Sequence, residues 1–523
     1  MMYMGESTTS LGYNLTSPGD NSPVQDFYRD CGVLVTGGTG FLGKLVIEKI
    51  LRCCPAARTV YVLIRPKKGV SAEDRREALM DNEVFERMKS EQPDWQSRLV
   101  FVSGDCSQPR LGLSDTDYHH LTQHVNIVLH LAATVRFDET LKVAIAINVK
   151  GTEDIIRLCR DCVRLKAAVF VSTAYSNCIH QLIKEEFYEP PMSLDDLFAL
   201  MDSFTEQELH MLLPKVKCRW PNTYAFSKAM AENLILTQAK DLPVSVVRPS
   251  MVVNTYYEPV RGWVDNMYGP IAIGAGMGTG LMHVCYAAEE AVMDIIPADM
   301  VTNCILVAAS QTGYRKNYTI PIYNITTPEN NSLTVKSLAD IWMYMLDHFP
   351  LKMCICYPFC FHIKNYRLYM LLTFFLHFIP GCVVDCGLRL KGMPPMLTRL
   401  YRKIQKYSIL TGYFATKTWK FMNGNSIELY TKLEARDKEI FYFDTGVIDW
   451  KQYMFDGTLG IRKYLLHEPL DNLQEAKFRL RLFTIAQRVL KVIFYGVVLW
   501  TGWHLIKIPG IFKREYLKLI QQL

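Results

Sequence analysis

Tyr224 and Lys228 are the two side chains in this sequence best suited to proton transfer. They lie four residues apart in the segment YAFSK, which has helical character, so a helix would place both on one face. A neighbouring ammonium group favours the phenolate and would lower the pKa of the tyrosine from about 10 toward neutral pH. The tyrosine could then donate and accept a proton, although this spacing alone is too common to define a site.

Two hydroxyl groups, those of Ser172 and Thr173, come at the end of a predicted strand in the segment VSTAY. Side chains alternate along a strand, so only one of the two should point toward a substrate. We choose Thr173, because it stands just before Ala174 at the strand end. The sequence thus predicts a catalytic group of Thr173, Tyr224 and Lys228, in which the two hydroxyls hold a developing oxyanion.

The segment TGGTGFLG provides a second site, because it follows the first predicted strand and precedes a helical stretch. This context separates it from a chance glycine triplet and is typical of dinucleotide binding. Gly37 would permit the tight turn, Gly40 would let the backbone approach a pyrophosphate, and Gly43 would allow close packing of helix on strand. The helix N-terminus adds N–H groups and a positive dipole end for phosphate. The predicted cofactor contacts are Thr36, Gly37, Gly40, Phe41, Leu42, Gly43, Arg65, Asp105, Ala132 and Lys228.

The second predicted strand ends in YVLIRPKKG, and this segment bears on the choice of cofactor. A site for NAD usually carries an acid about 20 residues after the glycines, where it binds the ribose 2′-hydroxyl. Arg65 stands there instead, followed by Lys67 and Lys68, and can pair with a 2′-phosphate. The sequence therefore predicts NADPH. Asp105, after the third strand, would face the adenine end, although an aspartate there is equally suited to a turn.

These residues need a scaffold, and from Cys31 onward the sequence alternates short β-branched runs with longer amphipathic segments. Strands spaced by helices give right-handed βαβ units and a parallel sheet. The predicted strands are 32–35, 59–64, 99–103, 126–131, 168–172 and 244–247, and the helical segments include 41–51 and 149–163. We therefore predict an α/β fold with a Rossmann-type doubly wound parallel sheet, a mainly α C-terminal domain and a hydrophobic C-terminal tail.

Composition places the chain among ordinary globular proteins, with 49% hydrophobic and 21% charged residues over 523 positions. Its 15 cysteines are too dilute for a disulfide scaffold and show no zinc-like spacing, so we predict free thiols and no metal site. The predicted domains are an N-terminal arm at 1–29, a nucleotide-binding domain at 30–325, a C-terminal domain at 326–470 and a tail at 471–523.

The net charge of +6 is concentrated in the tail, where residues 477–523 contain nine Lys or Arg and one acid. These bases surround an apolar run at 492–503, and a second apolar run at 368–384 also has basic flanks. Such flanks suit an anionic membrane face, whereas nucleic acid would need a basic stripe on a folded module. We predict membrane attachment through at least one run, with 492–503 the better candidate, and no nucleic-acid partner. The alternative is two buried core helices, since each run is shorter than the roughly 20 residues that a span needs.

Together the motifs resemble those of the extended short-chain dehydrogenase/reductases and, within them, the fatty acyl-CoA reductases. The resemblance covers about 33–468 and rests on TGGTGFLG, HLAATVRFD, NVKGT, VSTAY, YAFSK, VVRPS, GWVDN, IPADMVTN, FDTGVIDWKQY and GIRKYLLHE. Met277 departs from the family pattern, where a lysine is expected, and this puts a phosphate or CoA contact there in doubt. The insert between Thr173 and Tyr224, which includes Glu185, is expected to form a substrate lid.

The resemblance implies a long-chain fatty acyl-CoA substrate, NADPH as the reductant in two steps, and a primary fatty alcohol formed through an aldehyde. It also implies a membrane-bound enzyme whose catalytic domain faces the cytosol. The terminal IQQL differs from the peroxisomal SKL address, which favours the endoplasmic reticulum. A homo-oligomer is compatible with the sequence. Two alternatives stay open: a membrane-bound dehydrogenase of the same superfamily that acts on a hydroxysteroid or a nucleotide sugar, and a catalytically inactive nucleotide-binding protein.

Overall fold

The computed structural model describes residues 22–65, 70, 72–315 and 319–522, with the backbone alone beyond residue 503. Lys67, Lys68 and most of the predicted N-terminal arm lie outside the described residues. The chain divides into two compact units, each assembled from separate segments. Unit 1 consists of the described residues up to Arg261 together with Asp294–Ser332 and Trp419–Ile448, and unit 2 consists of Gly262–Met293, Leu333–Thr418 and Asp449–Leu523. The domain boundaries expected after residues 29, 325 and 470 stay a prediction.

Unit 1 is built on a seven-stranded parallel sheet, which confirms the predicted fold class. The strands are β1 (Gly32–Thr36), β2 (Thr59–Ile64), β3 (Leu99–Ser103), β4 (Val125–His130), β5 (Ala167–Val171), β6 (Val244–Pro249) and β7 (Ile322–Ile325). Their spatial order is β7-β6-β5-β4-β1-β2-β3, and every neighbouring pair is parallel. The strand order reverses between β1 and β4, so a crevice forms outside their carboxyl ends, where open α/β sheets bind ligands.

Six strands match the predicted ones to within two residues, because each is a short run rich in apolar residues. Every residue of β1, β4 and β5 is buried, as expected for strands covered by helices on both faces. β7 was not predicted. It has only four residues, and its apolar positions are interrupted by Asn324, whose burial follows from its pairing in the sheet.

The helices of unit 1 connect and cover these strands. They are Pro23–Tyr28, α1 (Phe41–Cys53), Ala72–Met80, Glu86–Glu91, Asp115–His124, Leu141–Ile145, α2 (Gly151–Asp161), Leu194–Ser203, Glu206–Val216, α3 (Thr223–Gln238), α4 (Ala298–Tyr314), Gly424–Thr431 and Ala435–Ile440. Two short parallel strand pairs accompany them, Leu182–Ile183 with Lys420–Phe421 and Met251–Val253 with Ile295–Pro297. The start of α3 is fixed by Asn222, whose side chain accepts the backbone N–H of Ala225 at 2.8 Å. This cap places Tyr224 in the first turn of the helix.

Unit 2 is mainly helical, as predicted for the C-terminal half. Its helices are Gly269–Gly278, Val335–His348, Tyr366–Thr373, Ile379–Leu390, α5 (Leu397–Ala415), Trp450–Gly460 and Leu473–Gln522, and it has two short strand pairs, Val284–Cys285 with Phe361–His362 and Val292–Met293 with Leu333–Thr334. Within the described residues two helices are long and apolar enough to cross a membrane. In the first apolar helix, Tyr366–Leu390, 22% of the apolar window is buried, and in Leu473–Thr501 none is.

Candidate active site

The turn after β1 has the backbone shape that its glycines predicted. Gly37 has a φ of +71°, and a Cβ on it would lie 2.8 Å from the backbone nitrogen of Ala132. A Cβ on Gly43 would lie 2.1 Å from the carbonyl oxygen of Gly37, so α1 can pack onto the turn only without a side chain there. Gly40 is the N-cap of α1 and supplies no side-chain hydrogen bond to it. This uncapped helix N-terminus suits an anionic ligand.

Thr36 and Ala132 lie at the carboxyl ends of β1 and β4, and a hydrogen bond joins them. The Ala132 N–H donates to Thr36 Oγ1 at 3.2 Å, and the same oxygen lies 2.8 Å from Nδ1 of His130. Nε2 of His130 lies 3.3 Å from Oγ1 of Thr152. Burial lowers the pKa of His130 to about 3, so this imidazole is neutral and ties the strand ends to α2. Sequence reasoning did not single out His130.

The remaining predicted cofactor contacts follow the neighbouring elements. Phe41 and Leu42 are the first two residues of α1, and Arg65 comes directly after β2 with an exposed side chain. Asp105 follows β3, where its Oδ1 accepts the backbone N–H of Ser107 at 2.9 Å and the Ser107 hydroxyl at 2.8 Å. The carboxylate of Asp105 therefore makes the turn that the sequence offered as an alternative to a contact with adenine.

One face of α3 is fixed to the end of β5 over three successive helical turns. The hydroxyl of Thr173 accepts the backbone N–H of Tyr175 at 3.2 Å and lies near enough to the hydroxyl of Tyr224 to oppose the rise in its pKa. Nζ of Lys228 donates to the carbonyl of the last β5 residue at 2.7 Å. One turn further on, the carboxylate of Glu232 accepts the hydroxyl of Ser172. The structure thus brings Thr173, Tyr224 and Lys228 together. It also separates the two candidate hydroxyls, since Ser172 donates to Glu232 whereas Thr173 lies beside the phenol of Tyr224.

The electrostatics of this pair differ from the expectation. Burial raises the pKa of Tyr224 to about 12, and the hydrogen bond with Thr173 opposes this rise. Burial likewise lowers the pKa of Lys228 to about 8, against the opposing effect of Glu232. The prediction that Lys228 lowers the pKa of the tyrosine is therefore wrong for the chain alone, because the ammonium donates to the backbone of β5. Tyr224 stays a protonated phenol at neutral pH, stacked on Phe137 with ring centroids 6.0 Å apart.

Glu232 and Arg248 form a buried ion pair that the sequence did not reveal. Their side chains are 3% and 0% exposed, and Nη2 of Arg248 lies 2.6 Å from Oε2 of Glu232. Glu232 also accepts the hydroxyl of Ser176 at 2.9 Å, and Arg248 donates to two backbone carbonyls in the segment 184–186 at 3.0 and 2.9 Å. The pair therefore fixes the chain that follows β5, from Ser172 to the segment 184–186. The sequence feature that could have revealed this pair is Glu232 itself, an acid four residues after Lys228.

The segment that was expected to form a substrate lid is anchored around Glu185. The carboxylate of Glu185 accepts the backbone N–H of Asn324 at 2.9 Å and that of Asn425 at 2.6 Å. The strand Leu182–Ile183 pairs with Lys420–Phe421 just before it. This part is fixed to the rest of unit 1, which limits the expected lid to the two exposed helices that follow.

Among the described residues, no group of three or more His, Cys, Asp and Glu side chains could hold a metal ion. Met277 is 2% exposed within the helix Gly269–Gly278 of unit 2. Its thioether is enclosed by unit 2, in keeping with the doubt about a phosphate contact at this position.

Known proteins match the chain over most of its length. Residues 35–305 match an NAD-binding family model described as male sterility protein, and residues 376–468 match a second model with the same description. The fatty acyl-CoA reductase wat of Drosophila melanogaster is 39% identical over 490 residues, which are 94% of each chain. The chain belongs to the fatty acyl-CoA reductase family. Like its family, this fatty acyl-CoA reductase is an oxidoreductase with a nicotinamide-binding domain.

Other relatives of this reductase agree with that assignment. Fatty acyl-CoA reductase 1 of Homo sapiens is 32% identical over 457 residues, covering 87% of this chain and 88% of that protein. Among solved structures, the terminal R domain of the myxalamid PKS-NRPS pathway has a TM-score of 0.56 at 18% identity, covering 83% of this chain and 91% of that one. A reductase domain of a nonribosomal peptide synthetase from Mycobacterium tuberculosis has a TM-score of 0.54 at 19% identity, with 84% and 95% covered. At these identities the two structures show the fold alone.

Proposed function

We propose that this reductase converts a long-chain fatty acyl-CoA to the primary alcohol with NADPH, through an aldehyde, and that Thr173, Tyr224 and Lys228 carry the reaction. One observation supports this above all. α3 holds Tyr224 and Lys228 against the end of β5, where Lys228 donates to a backbone carbonyl and the hydroxyl of Thr173 acts on that of Tyr224. We prefer this function to the hydroxysteroid or nucleotide-sugar alternative because relatives that span nearly the whole chain are named fatty acyl-CoA reductases.

The described residues fit a dinucleotide at the turn after β1. The turn leaves no space for side chains at Gly37 and Gly43, so backbone N–H groups at the start of α1 would meet the pyrophosphate. Bound NADPH would supply the hydride that attacks the acyl carbon. Arg65 would pair with the 2′-phosphate, since its guanidinium is always charged and stands where an acid would bind the 2′-hydroxyl. Lys228 would hold the ribose beside the nicotinamide.

The two hydroxyls would act on the oxygen that becomes negatively charged. In the first reduction, Tyr224 and Thr173 donate hydrogen bonds to the thioester oxygen, and collapse of the tetrahedral adduct expels the CoA thiolate and leaves an aldehyde. In the second reduction, Tyr224 gives its proton to the alkoxide. A phenol with a pKa of about 12 is a weak acid in water, but an alkoxide is a stronger base than its phenolate.

We further propose that the tail anchors this enzyme in the endoplasmic reticulum membrane with the catalytic domain in the cytosol. The exposed apolar side chains between Leu490 and Trp503 follow one another without a polar face; they include Val492, Ile493, Phe494, Tyr495, Val497, Val498, Leu499 and Trp500, each 48–73% exposed. A helix that is apolar all round is suited to lipid on every side. The helix Leu473–Thr501 has 29 residues, more than the roughly 20 that a span of the hydrocarbon core needs.

Replacing Tyr224 with phenylalanine tests the proposed chemistry. Tyr224→Phe should lower the rates of both acyl-CoA reduction and aldehyde reduction by about 10² or more, because the ring stays and only the proton donor is lost. NADPH binding, measured by fluorescence titration, should remain close to that of the wild type. The matched control is Tyr344→Phe, at a tyrosine of unit 2 that is 59% exposed. Retention of more than about a tenth of the wild-type rate would contradict the assignment of Tyr224.

A further inference from the structure

The first apolar helix, Tyr366–Leu390, belongs to unit 2, and one of its faces packs against the rest of that unit. The residues buried on this face recur every four positions: Tyr369, Thr373, His377, Gly381 and Asp385. A regular α-helix would bring residues to one face every 3.6 positions. A π-helical turn at Phe374–Phe378 widens the helix in the middle and accounts for the longer period. It also lies just before Pro380, which has no backbone N–H to donate.

Polar contacts hold this face in place. Oδ1 and Oδ2 of Asp385 accept the backbone N–H groups of 396–398 at 3.0, 2.9 and 2.9 Å, so this carboxylate caps the start of α5. Nε2 of His377 accepts the backbone N–H of His283 at 2.9 Å, and its ring stacks on Tyr401 with centroids 4.8 Å apart. If the helix crossed a bilayer it would have to leave these partners and carry a carboxylate into hydrocarbon, which is costly.

The opposite face is apolar and exposed. Its side chains are 38–67% exposed, and they are Leu368, Leu371, Phe374, Phe375, Phe378, Ile379, Val383 and Val384. A continuous apolar face of this kind marks a contact with a membrane or with another protein. One side of the helix is therefore fixed to the folded protein, and the opposite, apolar side is exposed and can contact a partner.

The charges around the helix indicate which partner it is. Between residues 364 and 406 there are eight exposed basic side chains, Lys364, Arg367, Arg389, Lys391, Arg399, Arg402, Lys403 and Lys406. The one acid in this stretch of the sequence is Asp385, which is buried and bound to α5. An apolar face bordered by positive charge complements acyl chains below anionic headgroups.

We propose that the helix Tyr366–Leu390 lies in the plane of an anionic bilayer and inserts only its exposed face into one leaflet. At about 1.5 Å per residue its 25 residues are long enough to cross the hydrocarbon, so length does not decide between the two modes. The polar contacts of the bound face favour the position in the plane of the bilayer over a crossing. The helix holds unit 2 on the membrane surface, whereas the tail crosses the bilayer. The inference rests on the proposed membrane association but concerns a different segment, so the two can fail separately.

The side of the membrane on which the helix ends lie provides the first test. Sealed microsomes that contain the full-length protein are treated with a membrane-impermeant amine reagent, and modification of Lys364 and Lys391 is read by peptide mass spectrometry. Both lysines are exposed and flank the helix, so both should react to an extent that changes less than twofold on permeabilisation. Protection of one of them by more than fivefold until detergent is added would show a crossing helix and overturn the proposal. If the protein does not sediment with the microsomes, the proposed membrane association itself has failed.

Lipid photolabelling provides the second test. The full-length protein is placed in vesicles of phosphatidylcholine and phosphatidylserine that contain a diazirine phospholipid, and the tryptic peptide 368–389 is sequenced. Label should fall on Leu371, Phe375 and Val383 and not on the buried face, and Val383→Asp should lower it at least threefold. The matched control Met211→Asp, at a residue of unit 1 that is 74% exposed, should leave it unchanged. Absence of lipid label on this peptide while the tail is labelled would overturn the proposal, as would cross-linking of the peptide to a second copy of the chain.

Discussion

Lys228 should set the upper pH limit of cofactor use by this reductase. Burial lowers the pKa of Lys228 to about 8, so the ammonium form predominates below that pH and is lost as the pH rises through it. At one pH unit above the pKa, about a tenth of the molecules keep the charge. If the charged form holds the nicotinamide ribose, kcat/KM for NADPH should fall about tenfold per pH unit above pH 8. Tyr224 does not titrate in this range, since its pKa is about 12.

The assay is the initial rate of NADPH oxidation at saturating acyl-CoA from pH 6 to 9.5, because kcat/KM for the cofactor reports groups of the enzyme before NADPH binds. Lys228→Arg is the informative variant, since a guanidinium stays charged throughout this range. It should remove the fall above pH 8 even where its plateau is lower than that of the wild type. A wild-type profile that stays flat to pH 9.5, or an unchanged fall in Lys228→Arg, would refute the reasoning.

Three other predictions concern the cofactor, the buried pair and the tail. Arg65→Asp should shift the ratio of kcat/KM values from NADPH toward NADH by roughly ten- to a hundredfold, as loss of a charge-assisted pair costs about 1.5–3 kcal/mol; an unchanged ratio contradicts the assignment. Glu232→Gln should lower the free energy of unfolding by about 3–5 kcal/mol in urea, because it leaves Arg248 buried and unpaired. Asp241→Asn, which breaks an exposed pair, should cost less than about 1 kcal/mol, and equal losses would count against the argument. Removal of 477–523 should leave much of the protein in the soluble fraction after the membranes are washed with carbonate, with NADPH binding intact. Full retention in the membrane fraction would assign the anchoring to the first apolar helix.

The sheet could be predicted because its signal is local. Each of the six predicted strands is a short run rich in apolar residues, and burial on both faces accounts for this pattern in β1, β4 and β5. β7 could not be found this way. It comes after the long helix α4, and its four residues include a buried asparagine whose Nδ2 donates to distant carbonyls, among them that of Met422 at 2.7 Å.

In the candidate site, too, the features set by local sequence could be predicted, and those that depend on distant contacts could not. Tyr224 and Lys228 could be predicted because their spacing within one helix fixes a shared face. Thr173 was chosen over Ser172 from its place in the strand end, and the structure gives the two hydroxyls different partners. The sequence could not predict that the pKa of Tyr224 is raised and not lowered. The direction of this shift depends on how deeply the ring is enclosed and on what Lys228 donates to. Spacing shows which groups are neighbours but not how much water they keep.

Hydropathy alone does not distinguish the two apolar runs of the sequence from each other. Both runs have basic flanks and a similar length, and polar residues at 377 and 385 look like interruptions of the first. In the fold both residues bind the rest of unit 2, and they lie in a row of buried positions spaced by four. The tail contains no such row among its described side chains between 490 and 503, where exposed apolar residues face every direction. Polar residues that recur along one face of an apolar helix thus argue against a crossing helix, because those bound to the protein would lose their partners in the hydrocarbon.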